Sequence, residues 1–554
     1  MAIDRSKLRW NGWGWASHPD DLATRNGVWS WLASELGMPS LLATPARPLE
    51  DIWLPHSNLT PADRRILARL LDGEAVRDDK FERASHAGGR SYQDLLRLRA
   101  GDLGDAPDVV VYPRSHLDVL TLLAFASERS IAVVPFGGGT SVVGGVKPRR
   151  SGHNGVLTID LSAMHRVENI DAQSLTVSAQ AGIFGPALEQ TLSARGLTLG
   201  HFPQAFEFST LGGWIAHRGT GQLFNRYGGP EDWLAGVEVA TPRGMLRGSD
   251  FPASGTGPRL TDLIVGSEGV FGIITRATVR LHRAAEATTG RAYLFRNFAS
   301  GTAAIRGAMQ SGVPTAMLRL SDAEEARFHR ALDRLGDSPS LLQRASAAIL
   351  NSWRYERPCL LLAAFEGSAE SVQLAKKTFG SIAREHGALR LGSGPVRHWQ
   401  QSRFSSPYLR DTMLDRGLGV DTMETATSWA NLQALYEGVK TALERAIAET
   451  VPRPLAHGIV MCHTGHACSD GASLHFTYIF PRALGDEFGQ CQAVKRAAVE
   501  AVLANGGTIS HYHGEDHLSG ITQEKCEIGI EVLRAIKGTL DPQGILNPGK
   551  LIPA

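Results

Sequence analysis

The chain has 554 residues, room for two to four domains with large buried cores. Hydrophobic residues at 43% and charged residues at 20% exclude a disordered or fibrous protein. Lys+Arg at 57 against Asp+Glu at 56 leaves +1, a balance that lends no support to a nucleic-acid partner. The first region, residues 1–100, mixes aromatic, polar and helical stretches. Within it RRILARLLDG (64–73) has apolar residues at helical spacing and a terminal Gly.

From 101 to 285, short apolar runs alternate with helical segments. PDVVVYP (107–113), IAVVPF (131–136), GVLTIDL (155–161), LTVSAQAG (175–182) and LAGVEVATP (234–242) read as strands. SHLDVLTLLAFASER (115–129) and FGPALEQTLSARG (184–196) read as amphipathic helices, the second with Gly at its end. Residues 286–490 form another unit, with helical patterns at 368–387 and 432–449 and strands at 360–367 and 472–480. The tail, 491–554, is a helix (493–507), a His-rich turn, a second helix and the ending DPQGILNPGKL. This order of elements predicts an α/β or α+β chain.

Five cysteines, Cys359, Cys462, Cys468, Cys491 and Cys526, contain no C-x-x-C pair, so neither a disulfide framework nor a zinc ribbon is expected. The N-terminus has no apolar signal-type core, and no run approaches about 18 apolar residues. A soluble, cytoplasmic protein is the expectation. Trp10, Trp13 and Trp15 serve either an interfacial membrane surface or aromatic core packing.

PFGGGTSVVGG (135–145) follows a predicted strand. Three glycines, then Thr140 and Ser141, let several backbone N–H groups point into one concavity, a nest that suits phosphate. The pattern is neither G-x-G-x-x-G nor a Walker loop with its Lys. A tight turn without ligand is the competing reading.

This loop, then STLGGWIA (209–216), NRYGG (225–229), VGSEGVFGIIT (265–275) and DPQGILNPGKL (541–551), in that order, resemble the vanillyl-alcohol-oxidase-type FAD flavoproteins. The resemblance implies an α+β chain: a two-part FAD-binding domain with an inserted α/β substrate cap and a C-terminal segment returning to the flavin. It implies that Pro135, Gly137, Gly138, Gly139, Thr140 and Ser141 hold the pyrophosphate. Ser209, Thr210, Gly212 and Gly213 would lie along the flavin, Glu268, Gly269 and Ile274 near the adenosine side, and Asn547 and Lys550 near the isoalloxazine. No His stands in the glycine loop, so a dissociable, non-covalent FAD is expected.

RWNGWG (9–14), RSYQDLLRLRAGD (90–102), MLRLSD (317–322), RFSSPYLRDTML (403–414) and SHYHG (510–514) are similar to the alkylglycerone-phosphate (alkyldihydroxyacetonephosphate) synthase branch. What that implies is exchange of the acyl chain of acyl-dihydroxyacetone phosphate for a fatty alcohol through a flavin N5 adduct, a step of ether-lipid synthesis. Such a site needs a base of near-neutral pKa and cations for the phosphate. His511 and His513 fit the first need. Arg319, suited to bidentate oxyanion contact, fits the second, with Arg410 as another candidate. Tyr408, His463 and Cys468 are further substrate-side candidates. A lipid substrate makes a peripheral membrane contact an open option, and relatives often dimerise. No metal is called for.

The chain departs from that branch on the substrate side. Three consecutive histidines become His511-Tyr512-His513, followed by Gly514-Glu515-Asp516-His517. The family's catalytic Tyr aligns with Cys468 and its strand Tyr with His475, leaving Tyr512 and His466 as candidate replacements. Two alternatives therefore stay open: FAD-dependent oxidation of a 2-hydroxy acid or other alcohol by hydride transfer to N5, and a catalytically dead flavoprotein serving as a binding subunit.

Overall fold

The Val/Ile-rich runs of the first half pair where the sequence places them. The computed structural model describes residues 3–18, 27–334, 355–405, 407–451, 456–510 and 521–553. In it β1 (Val76–Arg77), β2 (Val109–Val111), β3 (Ile131–Phe136) and β4 (Gly155–Asp160) form one sheet in the order β1-β2-β4-β3. β2 and β3 both run parallel to β4. The connection that makes this possible is α1 (His116–Arg129), which crosses between β2 and β3. Ser115 starts α1 with a capping box to Asp118, and Val119, Leu122, Leu123 and Ala126 bury its inner face.

A second sheet is antiparallel throughout. It comprises β5 (Val167–Asp171), β6 (Thr176–Gln180), β7 (Leu234–Thr241), β8 (Gly244–Gly248) and β9 (Ile273–Arg280), in the order β5-β6-β9-β7-β8. Sequence reading finds β6 and β7 but passes over β5 and β8. Both are edge strands of partly exposed residues, without the apolar run that marks a buried strand. Between β6 and β7 lie the short helices α2 (Leu211–His217) and α3 (Phe224–Tyr227).

Seven further antiparallel strands make a third sheet, in the order β13-β10-β12-β11-β15-β16-β14. They are β10 (Ala287–Phe295), β11 (Met317–Ser321), β12 (Cys359–Gly367), β13 (Leu389–Arg390), β14 (Leu418–Ser428), β15 (Ile459–Ala467) and β16 (Gly471–Pro481). Helices α4 (Phe298–Gln310), α5 (Ala323–Arg334), α6 (Ala369–Glu385), α7 (Gly394–Ser402), α8 (Tyr408–Leu414), α9 (Leu432–Thr450) and α10 (Glu487–Ala504) surround it. Leu318, Leu320, Leu361, Phe365, Val460 and Phe476 belong to a large core with residues of α4, α6 and α9. On the opposite face Met317, Leu362 and Ala364 pack against Leu223 and Tyr227 of the α3 region. There Tyr227 Oη donates to Glu366 Oε2 at 2.8 Å, and Arg226 Nη1 to the Glu366 carbonyl at 2.7 Å.

The N-terminal strap ties these parts together. Trp13 N donates to buried Asp411 Oδ2 at 2.7 Å, Arg90 Nη2 to the Arg9 carbonyl, and Arg410 Nη1 to the Arg90 carbonyl. Arg90 N in turn donates to the Ser141 carbonyl at 2.6 Å. The tryptophans serve packing: Trp13 is buried and Trp15 meets Phe208 edge-on at 5.7 Å. The helix read at 64–73 instead runs Pro61–Leu70, because Leu71 turns extended and Gly73 opens the next turn. Among the described residues no helix is long and apolar enough to cross a membrane. The chain returns through α11 (Ile521–Leu540), after which Leu546 bridges Val133 in parallel.

His201 reports on this packing. It is 1% exposed between Trp214 and Trp233, with ring centroids at 4.7 and 5.2 Å, and neither ring nitrogen has a partner among the described residues. Burial alone pushes its imidazole from 6.5 down to about 3. The folded chain therefore keeps it neutral while the unfolded chain takes up a proton below about pH 6.5. Stability falls as pH drops through that window, by about 1.4 kcal/mol per pH unit for this group. Urea midpoints of His201→Phe are expected to lose that share of the acid dependence; an unchanged slope would show the ring is not buried neutral.

Candidate active site

β3 ends at Phe136 and the chain enters Gly137-Gly138-Gly139-Thr140-Ser141. Gly139 has φ +72°, and a Cβ on Gly138 would collide with the Phe208 carbonyl. A Cβ on Gly137 would strike the Thr210 hydroxyl, so the loop lies directly on the Phe208–Thr210 segment. Among the described residues the N–H groups of Gly138, Gly139 and Thr140 donate to no acceptor. The Ser141 hydroxyl is used within the turn, accepting from Gly145 N at 3.0 Å. On the carbonyl side, Arg5 donates to Gly137 O and pairs with buried Asp160 at 2.6 Å; Asp160 also meets His86 Nε2 at 3.0 Å. Nothing in the N-terminal sequence signals this role for Arg5.

Ser209 and Thr210 stand at the start of α2. Thr210 accepts from Gly213 N at 3.3 Å, Ser209 Oγ from Trp214 Nε1 at 2.7 Å, and Gly212 packs on Ala181. Beyond α2, Glu268 (φ +49°) donates its N–H to the Ala216 carbonyl, and Gly269 (φ +76°) lies against Pro135. Ile274 is buried in β9 opposite Val239. The tail closes this arrangement: Asn547 Nδ2 donates to the carbonyls of Gly145 at 2.9 Å and Glu268 at 2.6 Å, and Asn547 N to Val133 O. Asn547 thus sits at the far end of the glycine loop, with Lys550 buried close behind it in sequence. Asn547 Oδ1 is buried without a hydrogen-bond donor among the described residues, while Glu268 Oε1 lies 3.7 Å from His217 Nδ1. Open N–H groups for a pyrophosphate, with the buried Asn547 Oδ1 beside them as an acceptor for a hydroxyl or amino group, fit a dinucleotide cofactor such as FAD.

On the sheet of seven strands, Arg319 lies between β15 and α5. Its Nη2 donates to Glu325 Oε1 at 2.8 Å and sits 3.1 Å from His463 Nδ1, while His463 Nδ1 is 3.0 Å from the same Glu325 oxygen. Burial works to raise the Glu325 carboxyl, but Arg319 and His463 overcome it and hold the group well below the usual carboxylate range. Burial, reinforced by the Arg319 charge, lowers His463. The His463 ring stacks on His475 at 4.7 Å, and His475 Nε2 is 3.1 Å from Glu424 Oε1. A band of carboxylates and imidazoles with Arg319 therefore runs across β11, β15, β16 and β14, with Glu325 contributed by α5. With Nδ1–H given to Glu325, the other nitrogen of His463 keeps its lone pair, an arrangement able to accept a proton.

The remaining candidates are distributed more widely. Arg410 is buried, with Nη1 donating to the Arg90 carbonyl at 3.0 Å. Tyr408 packs against His18 and Phe208, its phenol raised to about 12 by burial and Glu207. His466 is buried beside Phe224, with its N–H on Ser473 Oγ. Cys468 is exposed in the turn between β15 and β16; partial desolvation and Asp470 raise its thiol, which disfavours a thiolate. His511, Tyr512 and His513 lie outside the described residues. Sequence reading misses Glu325 and Glu424. Asp322-x-x-Glu325 has a helix-capping pattern, and Asp322 Oδ1 does accept Glu325 N at 2.8 Å, but spacing says nothing about the partners in space.

Gly138→Ala is expected to abolish flavin retention, read as the ratio of flavin to protein absorbance, while circular dichroism stays near wild type. Full flavin content would mean the loop does not bind as described. Glu325→Gln leaves Arg319 buried without its carboxylate and is expected to lower stability by about 3 kcal/mol near neutral pH. Because the folded pKa of Glu325 is depressed, that difference is present above the ordinary carboxylate value and shrinks as pH falls through the folded one. A pH-independent difference in melts would contradict the pairing.

Residues 107–248 match the FAD binding domain family, and residues 285–551 match the FAD linked oxidases, C-terminal domain family. The chain is 32% identical over 517 residues to alkyldihydroxyacetonephosphate synthase of Dictyostelium discoideum, spanning 92% of this chain and 84% of that protein. It is 31% identical to the Trypanosoma brucei brucei enzyme of the same name, over 88% and 80%. A solved alkyldihydroxyacetonephosphate synthase superposes with a TM-score of 0.84 at 30% identity, over 99% of this chain and 100% of that one. With a two-part FAD-binding fold of vanillyl-alcohol-oxidase type and matching sequence from strap to tail, this chain belongs to the alkyldihydroxyacetonephosphate synthase family of FAD flavoproteins.

Proposed function

We propose that the enzyme exchanges the acyl group of an acyl-dihydroxyacetone phosphate for a long-chain alcohol, forming an ether and releasing a fatty acid without net redox change. What carries this reading is the likeness over nearly the whole chain, cap included, to proteins named for that synthesis. FAD, when bound, supplies an electron-accepting ring able to hold the substrate carbon while one oxygen substituent replaces another. Residues 101–285 and the returning 491–554 hold it non-covalently, and 286–490 form the cap over the substrate.

In this reading Gly137–Ser141 bind the pyrophosphate through backbone N–H groups, with Pro135 and Gly269 shaping the turn. Ser209, Thr210, Gly212 and Gly213 line the ring system; Glu268, Ile274, Asn547 and Lys550 complete the cofactor site. The ketone makes the neighbouring C–H acidic, and His511 or His513 takes that proton on a ring nitrogen. The acyl carboxylate leaves, the alcohol oxygen forms the new bond and gives up its proton, and the stored proton returns to carbon. Tyr512 and His466 are the candidate proton donors. Arg319 and His463, fixed by Glu325, present a preorganised polar face, while Tyr408 and Arg410 position the strap.

The test mixes FAD-loaded enzyme anaerobically with palmitoyl-dihydroxyacetone phosphate and hexadecanol. The expected outcome is palmitate release matched one-to-one by ether product, with the oxidised flavin spectrum present at the end. No exchange, together with bleaching by a 2-hydroxy acid that reverses only when an electron acceptor is added, would replace this reading by dehydrogenation.

A further inference from the structure

An anionic substrate needs a cation, and two of the three motif arginines of the cap are already engaged. Arg319 is neutralised by Glu325 at 2.8 Å, and Arg410 is buried with Nη1 on the Arg90 carbonyl and with the Asp421 and Asp411 carboxylates favouring its charge. Arg403, the first residue after α7, differs. Its guanidinium lies over the rings of Phe404 at 4.7 Å, Phe202 at 5.0 Å and Trp399 at 5.7 Å, and no carboxylate pairs with it among the described residues. Burial lowers its pKa against a favourable pull from Glu366, yet that carboxylate already accepts the Tyr227 hydroxyl. A guanidinium stays charged in any such setting. Stacking on aromatic faces recovers only part of what the lost water supplied.

The position of Arg403 fits a ligand held between cap and cofactor domain. Phe404 stacks on Phe206 at 5.5 Å, Phe206 on Trp214 at 6.3 Å, and Trp214 donates to Ser209 Oγ at 2.7 Å. Gln222 fixes the backbone on both sides, its N–H on the Phe202 carbonyl and its Nε2 on the Arg403 carbonyl at 3.4 Å. The Arg403 backbone is therefore held at the seam that leads to the start of α2, with its half-buried guanidinium against apolar rings.

We propose that Arg403 binds the phosphate of the substrate, the aromatic rings around it strengthening the contact by shielding it from water. The inference rests on the exchange reading in naming a phosphate monoester. Its test compares wild type with Arg403→Met, which keeps the apolar stem, using palmitoyl-dihydroxyacetone phosphate and the uncharged palmitoyl-dihydroxyacetone. The expected result is a KM at least tenfold higher for the phosphate ester with kcat little changed, and kcat/KM for the uncharged ester unaltered. Inorganic phosphate should inhibit wild type competitively and Arg403→Met at least tenfold more weakly. Equal losses on both esters, or no loss, would assign Arg403 to packing alone and overturn the proposal. Should the Met variant fail to retain FAD, Arg403→Lys carries the same comparison, with part of the phosphate affinity restored. If wild type exchanges neither ester, the exchange reading itself falls. The anion site is then decided by whether inorganic phosphate shifts the flavin absorbance of wild type but not of the Arg403 variant.

Discussion

Contact between the backbone at Gly138 and the Phe208 carbonyl is the constraint on which the rest of the site depends. A side chain there would separate β3 from the segment that starts α2. Once the two lie together, Thr210 reaches Gly137, Glu268 is brought onto α2 by its N–H, and Asn547 joins the loop to the Glu268 turn. Three stretches far apart in the chain thus surround one row of unpaired N–H groups. Backbone bonds from Glu268 N to Ala216 O and from Asn547 N to Val133 O combine with the Asn547 side-chain bonds, and Arg5 with Asp160 secures the carbonyl side.

The cap resolves its charges in two different ways. Across β11, β15, β16 and β14, each cation or imidazole has a carboxylate beside it, so the band is internally compensated and orients its own members. Arg403 is surrounded by rings instead, and its charge is left for a ligand. The same fold therefore provides a preorganised polar face and a separate, uncompensated cation. The strap explains why RWNGWG, RSYQD and PYLRD occur together: Trp13, Arg90, Arg410 and Asp411 form one buried set of bonds joining the N-terminus, the glycine loop and the cap.

Much of this architecture was legible beforehand because it rests on local patterns. IAVVPF became a strand over the same six residues, and the helix read at 115–129 forms over His116–Arg129. Edge strands such as Val167–Asp171 were not legible, since half-exposed strands carry no apolar run. Among the site residues, the glycine loop, Ser209, Thr210, Glu268 and Asn547 do converge. Cys468 is exposed in a hairpin turn and Arg410 is buried in a structural bond, while Arg319 is paired within the protein.

By itself the sequence determined the order of elements, the conformational freedom of the glycine loop and the likeness to an FAD family, because each depends on neighbouring residues or on motifs kept in order. Tertiary structure alone decided which charges are spent and which are open. Glu325 lies 138 residues from His463, and the rings over Arg403 include Phe202 from the other side of the seam. Electrostatic compensation acts through distance in space, and no spacing along the chain encodes it.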